Sequence, residues 1–247
     1  MKKLTATICL TLAVLLGSVG CQTTSPSSFL KNEVSRSDFQ KGLTAAQSGD
    51  FATALREWKT LAEQGDASAQ FNLGLMYRNG EGVPQDDKIA VKWYKLAAEQ
   101  GLASAQTSLG WMYDKGKGLT QNNKTAAKWY KLAAEQGDAK SQFNLGVMYQ
   151  KGRGVTQNDK TAVKWYRLAA EQGVGDAQGN LGVMYAFGDG VLKDYIYAHM
   201  WGDIAATNGN ELGEKLRDTF EKKMTPAQIA EAQKLARECV RMKYKGC

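Results

Sequence analysis

The stretch KWYKLAAEQG, residues 92–101, returns letter for letter at residues 128–137 and, with one lysine changed to arginine, as KWYRLAAEQG at residues 164–173. The spacing is 36 residues each time. Self-similarity at a fixed period of this size marks a solenoid, in which one supersecondary unit stacks on the next because none can bury its apolar face alone. Set out on that period, the chain gives full copies at 65–100, 101–136, 137–172 and 173–208, and a truncated relative at 37–64.

Each copy holds two apolar stripes with helical spacing. In the first copy Gln70, Leu73, Gly74 and Tyr77 fall at i, i+3, i+4 and i+7, and Ala90, Trp93, Tyr94, Ala97 and Ala98 continue the same pattern further on. Between the stripes lies a G-x-G turn that starts at Gly80 and recurs at Gly116, Gly152 and Gly188. Its glycines permit positive φ where the chain reverses. The turn lacks the preceding strand and third glycine of a dinucleotide-binding loop. Asp86, Asn122, Asn158 and Asp194 share one position ahead of the second stripe, and all are good N-caps. Each copy is therefore expected to be a pair of helices.

The motif L-G-x-M-Y-x-x-G-x-G-V followed by A-x-x-W-Y-x-x-A-A, repeated over about 37–208, resembles the Sel-one-like repeat, a relative of the tetratricopeptide repeat with a longer inter-helix loop. The resemblance implies an all-α fold, a right-handed α-solenoid of stacked antiparallel helix pairs. It also implies a protein-interaction scaffold without catalysis, needing no cofactor and no metal.

Internal copies separate the positions this chain keeps from those it varies. Gln70, Gln106, Gln142 and Gln178 are kept on the inward stripe, where a glutamine serves as a buried amide that satisfies backbone groups. The varied positions of the first helices form the opposite stripe: Ser68, Phe71, Leu75 and Arg78; Ser104, Thr107, Trp111 and Asp114; Lys140, Phe143, Val147 and Gln150; Asp176, Gly179, Val183 and Ala186. First helices line the concave surface of helix-pair solenoids, so this stripe is a candidate groove for a protein or an extended peptide, with Asn72, Ser108, Asn144 and Asn180 beside it. Phe71, Trp111 and Phe143 have two readings, as anchors for a partner or as packing between neighbouring repeats.

On the second helices, Lys88, Lys92 and Lys95 recur as Lys124, Lys128 and Lys131 and as Lys160, Lys164 and Arg167, a ladder read either as a solvated face or as a contact for anionic headgroups or an acidic partner. In the fourth copy these positions become Ile196, Met200 and Asp203. A cover is then needed, and 209–247 supplies it: Thr225 as N-cap, Pro226 at the first helical position and Gln228 as capping-box partner predict a terminal helix.

The N-terminus carries an address. Lys2 and Lys3 precede an apolar run, Leu4 to Val19, that is short for a membrane span and reads as an export signal over 1–20. The run ends in GSVGC, which resembles the lipobox of bacterial lipoproteins and implies acylation of Cys21, although Ser18-Val19-Gly20 also fits an ordinary small-x-small cleavage site. Gln22, in place of aspartate, implies outer-membrane sorting on the periplasmic side, and 21–36 reads as a flexible tether. Removing the signal leaves Cys21, Cys239 and Cys247, so acylation of Cys21 leaves Cys239 and Cys247 to pair as a disulfide. Without the signal, 30 basic residues stand against 25 acidic ones, a mild excess that does not point to nucleic acid. His199 is the single histidine, and no nucleophile motif accompanies it. A cell-wall-directed enzyme, or a binder of a small ligand of muropeptide or β-lactam type, is the alternative to a scaffold.

Overall fold

In the computed structural model the backbone is described from Pro26 and the side chains from Ser35, in both cases through Cys247. The expected export signal and Cys21 lie outside the described residues. Two helices come first, α1 (Pro26–Gln47) and α2 (Phe51–Glu63). Four full pairs follow: α3 (Ala67–Asn79) with α4 (Asp87–Glu99), α5 (Ala103–Lys115) with α6 (Asn123–Glu135), α7 (Ala139–Lys151) with α8 (Asp159–Ala170), and α9 (Gly175–Phe187) with α10 (Tyr195–Thr207). The chain ends with α11 (Glu211–Glu221) and α12 (Pro226–Arg241). Each first helix packs on its own second helix, and each second helix packs on the next first helix, which is the stacked α-solenoid that the 36-residue period predicts.

The tether expected over 21–36 is corrected from Pro26 onward, where the chain is already the start of α1. No apolar stripe announces this helix. Pro26 is pre-organised for a first helical position, and no glycine interrupts the run before Gly42, so a helix held by the packed residues Phe39 and Leu43 extends backwards at little cost.

Local chemistry fixes the helix ends. Asp86, Asn122, Asn158 and Asp194 all accept hydrogen bonds from backbone N–H groups of the following turn, as their shared position predicts. The second glycine of each turn has a further role: a Cβ on Gly118 would collide with the Asp87 carbonyl of the preceding repeat. The turn of one repeat thus rests on the first turn of the second helix before it.

Inside each pair, a glycine in the first helix receives an aromatic ring from the second. A Cβ on Gly74 would stand 2.5 Å from the Tyr94 ring, one on Gly110 2.9 Å from Tyr130, and one on Gly146 2.7 Å from Tyr166. These tyrosines are fully buried. Trp93 is not: it is half-buried and packs against the preceding repeat's core around Trp58, so the sequence stripe placed it one position too far inward.

The kept glutamines knit the repeats together. Gln70, Gln106, Gln142 and Gln178 donate to the carbonyls of Ala62, Ala98, Ala134 and Ala170 in the preceding second helix, at 3.0 to 3.2 Å. Their own side-chain oxygens accept from Gln100, Gln136, Gln172 and Asn208, each at 2.8 Å.

The stack is closed at its C-terminal end by two helices with different duties. α11 takes the place of a fifth first helix against α9 and α10, while α12 folds onto α10. Thr225 and Gln228 make the full capping box at the start of α12. Leu235, Ala236 and Cys239 of α12 join Met200, Trp201 and Ile204 in one core, so Met200 is covered as the sequence requires. Cys239 and Cys247 form a disulfide, with Cα atoms 5.6 Å apart, that ties the last turn of the chain to α12.

Gly74→Ala is expected to destabilise the fold by about 1–2 kcal/mol in chemical denaturation, because overpacking against Tyr94 outweighs alanine's helix propensity. Gly175→Ala, whose nearest neighbour would be 3.6 Å away, is expected to be neutral or stabilising.

His199 is 1% exposed on α10, and neither ring nitrogen has a protein partner. Burial lowers its pKa against the opposing pull of Asp203 on α10 and of Glu221 and Asp218 on α11, with Arg217 adding to the lowering. Below pH about 6.5 the unfolded chain binds a proton that the folded chain resists. Its contribution to stability is therefore complete above that pH and is lost as pH falls toward the lower folded value. Thermal unfolding is expected to show a smaller drop between pH 7.5 and pH 5 for His199→Phe than for the unsubstituted protein.

Candidate functional site

A groove of about 540 Å³ crosses the first helices of three successive repeats. From α3 it receives Phe71, Leu75 and Arg78, and from α5 Ser104, Thr107, Ser108 and Trp111. Asp138, Ala139, Lys140 and Asn144, at the start of α7, complete it. The groove therefore runs obliquely, from the C-terminal end of α3 to the N-terminal end of α7. This follows from geometry: residues i, i+3 and i+7 share a face on each helix, and stacking at one period sets the three faces side by side.

Trp111 is its central feature, and both readings of this residue hold. Its ring packs against the cores of the repeats on either side. It also lines the groove and carries the Arg78 guanidinium over its face, Cζ lying 4.4 Å from the ring centroid. Phe71 likewise does both, packing on Tyr94 at 5.7 Å between ring centroids while lining the groove. Beneath them, Thr107 and Ser141 join α5 to α7 through their hydroxyls at 2.7 Å.

The last position of the varied stripe meets the buried tyrosines. Arg78 lies beside the Tyr94 phenol, which burial pushes up to about 12 and the nearby guanidinium pulls back. Tyr166 donates to Gln150 Oε1 at 2.8 Å, and burial raises its pKa as well. Tyr130 is raised by burial and further by Asp114.

Asp114 corrects the expected groove. It is 5% exposed, with Oδ2 3.2 Å from Lys115 Nζ and Oδ1 3.5 Å from Arg153 Nη2. Arg153 belongs to the turn of the next repeat, which covers the end of α5 and turns this carboxylate into an inter-repeat contact. Gln150 is similarly engaged, by Tyr166 and by Met184 Sδ at 3.3 Å. Phe143 and Val147 pack on the core of the last repeats, and Val183 on the cluster around Leu216 and Phe220. Phe143 is therefore packing between repeats. Asn72 and Asn180 are half-buried and outside the groove, whereas Ser108 and Asn144 line it. Asp138 and Ala139 enter the site unforeseen. Their signal was positional: a groove running obliquely must leave the stripe and reach the cap of α7.

His199, buried between α10 and α11, lies on neither face of the groove. Among the described residues, no cluster of histidine, cysteine and acidic side chains has the makings of a metal site.

The chain matches the Sel1 repeat four times, over residues 67–102, 103–138, 139–174 and 175–210. No functionally curated protein matches it. Among solved structures it is similar to a Sel1 repeat protein from Oxalobacter formigenes, with 36% identity over 72% of this chain and 73% of that one, at a TM-score of 0.69. It is also similar to a protective antigen of uropathogenic Escherichia coli strains that displays an SLR fold, with 34% identity, 88% of this chain covered and a TM-score of 0.77. Here the chain spans 49% of the antigen's length.

Since Trp111 joins two cores, Trp111→Ala is expected to cost about 3 kcal/mol of stability. Arg78→Ala loses a half-buried cation–π contact and is expected to cost about 1 kcal/mol. Urea denaturation of the two variants checks the difference.

Proposed function

The chain belongs to the Sel1 repeat family, whose members are generally protein-interaction scaffolds, and we propose that it binds a protein partner through an extended segment lying in the oblique groove. The observation that carries this reading is the groove itself, whose aromatic floor of Phe71 and Trp111 is flanked by the hydroxyls of Ser104, Thr107 and Ser108 and the amide of Asn144. Partly exposed aromatic groups in a concave site supply contact area at low conformational cost, while the polar groups fix the direction of a bound main chain. The chemistry is that of holding, with no reaction performed.

We place this scaffold in the cell envelope, anchored to the outer membrane by an acyl chain on Cys21 and facing the periplasm. The motif around Cys21 supports the anchor, and the Cys239–Cys247 disulfide suits an oxidising compartment.

A photo-crosslinker placed at Ser108 in the native envelope, followed by mass spectrometry, tests the groove. A partner captured from Ser108 but not from the exposed Lys128 on α6 is the expected result, and equal capture from both positions overturns the assignment. Cys21→Ser is expected to accumulate precursor or to release the protein from the membrane. Persistence of a mature, membrane-bound form rejects the anchor.

A further inference from the structure

Resting on the groove as the binding site, we propose that the segment it takes is acidic, with carboxylates at its two ends and an apolar side chain between them. Charge placement carries this inference. Arg78 and Lys140 stand at opposite ends of the groove. Among the described residues, neither has a carboxylate partner, whereas Lys41, Lys95, Lys115, Lys131 and Arg153 all do. The one acid in the lining, Asp138, is already committed, accepting from the Ser141 backbone N–H at 2.7 Å as the cap of α7. The capping bond leaves Asp138 its charge, so the lining sets two cations without carboxylate partners against one anion, and the groove is net positive.

The two cations differ in kind. The half-buried Arg78 guanidinium lies over Trp111, Cζ 4.4 Å from the ring centroid, and its planar fork suits bidentate pairing with a carboxylate. Lys140 is a mobile point charge. Their repeat positions differ by ten residues, about 15 Å of helix rise, and two helix spacings add about 20 Å across the face. An extended chain of about seven residues spans the resulting distance of about 25 Å. The intervening floor of Phe71, Leu75 and Trp111 receives an apolar side chain. The preference belongs to the first three repeats: in the fourth, the position of Lys140 is Asp176, which accepts from Asn210 at 2.7 Å.

The test is selection from an unbiased random heptapeptide display library on the purified protein. Enrichment of peptides acidic at both ends is expected. A synthetic peptide of that class should bind at least tenfold more weakly to Arg78→Glu/Lys140→Glu and to Ser108→Glu, with native circular dichroism retained by both variants. The charge-reversed variant should in turn enrich basic peptides. Enriched peptides without charge bias that compete with one another and are weakened by Ser108→Tyr overturn the acidic preference and leave the groove standing. Peptides indifferent to all three variants, or the absence of any enrichment, overturn the proposal, and indifference to Ser108→Tyr removes the groove with it.

Discussion

A tyrosine ring lying against a bare stretch of helix backbone is the contact from which the rest of this molecule follows. Tyr94, Tyr130 and Tyr166 lie against Gly74, Gly110 and Gly146 at a distance that leaves no room for a methyl group. The contact draws the two helices of a pair together and buries a large ring without an inter-helix gap. It also spends the inward side of each first helix on packing, so the variable residues are left on the outer side. The groove is thus a by-product of a rule about packing. In the last repeat the arrangement is inverted: Gly202 stands where the tyrosine would be and Trp201 is buried, and α11 comes close enough that a Cβ on Gly213 would stand 2.6 Å from Ala205 Cβ. Here backbone and small side chains meet directly, with no ring between them, and the stack ends.

Most of the architecture was legible because repetition made its own controls. Four caps at one position, four glutamines on one stripe and the change of Lys92, Lys128 and Lys164 to Met200 each predicted a local structure that the chain adopts. What escaped lay outside the repeated motif. The N-terminal reach of α1 carries no amphipathic pattern, and α11, although its cap Asn210 is in register with Asp66 and Asp138, lacks the L-G-x-M-Y motif that marks the first helices of the four full pairs.

The site was legible only to the level of a face. Spacing put Phe71, Leu75, Arg78 and Trp111 on one stripe, and they do share the groove. Spacing along one helix says nothing about what the neighbouring repeat lays over it. Asp114 and Arg78 occupy equivalent positions, yet the turn bearing Arg153 seals the first while the second remains in the groove. Charge on both sides makes the difference: a cation in the next turn, Arg153, pairs with Asp114, whereas the corresponding cation, Lys117, has no anion to meet at Arg78. Binding character in such a molecule is therefore written between repeats.

The paired amides have a consequence for how such a chain changes length. Every repeat brings both halves of the junction: a glutamine such as Gln106 that reaches back to the Ala98 carbonyl, and a glutamine such as Gln136 that steadies it from within. Unequal crossing-over between genes that encode this pattern deletes or duplicates 36 residues and still leaves each junction chemically whole. Copy number can drift while the fold stays the same, and each gain or loss moves the groove's charges relative to one another by one repeat width. New specificities then arise by recombination, without waiting for point substitutions to redesign a core.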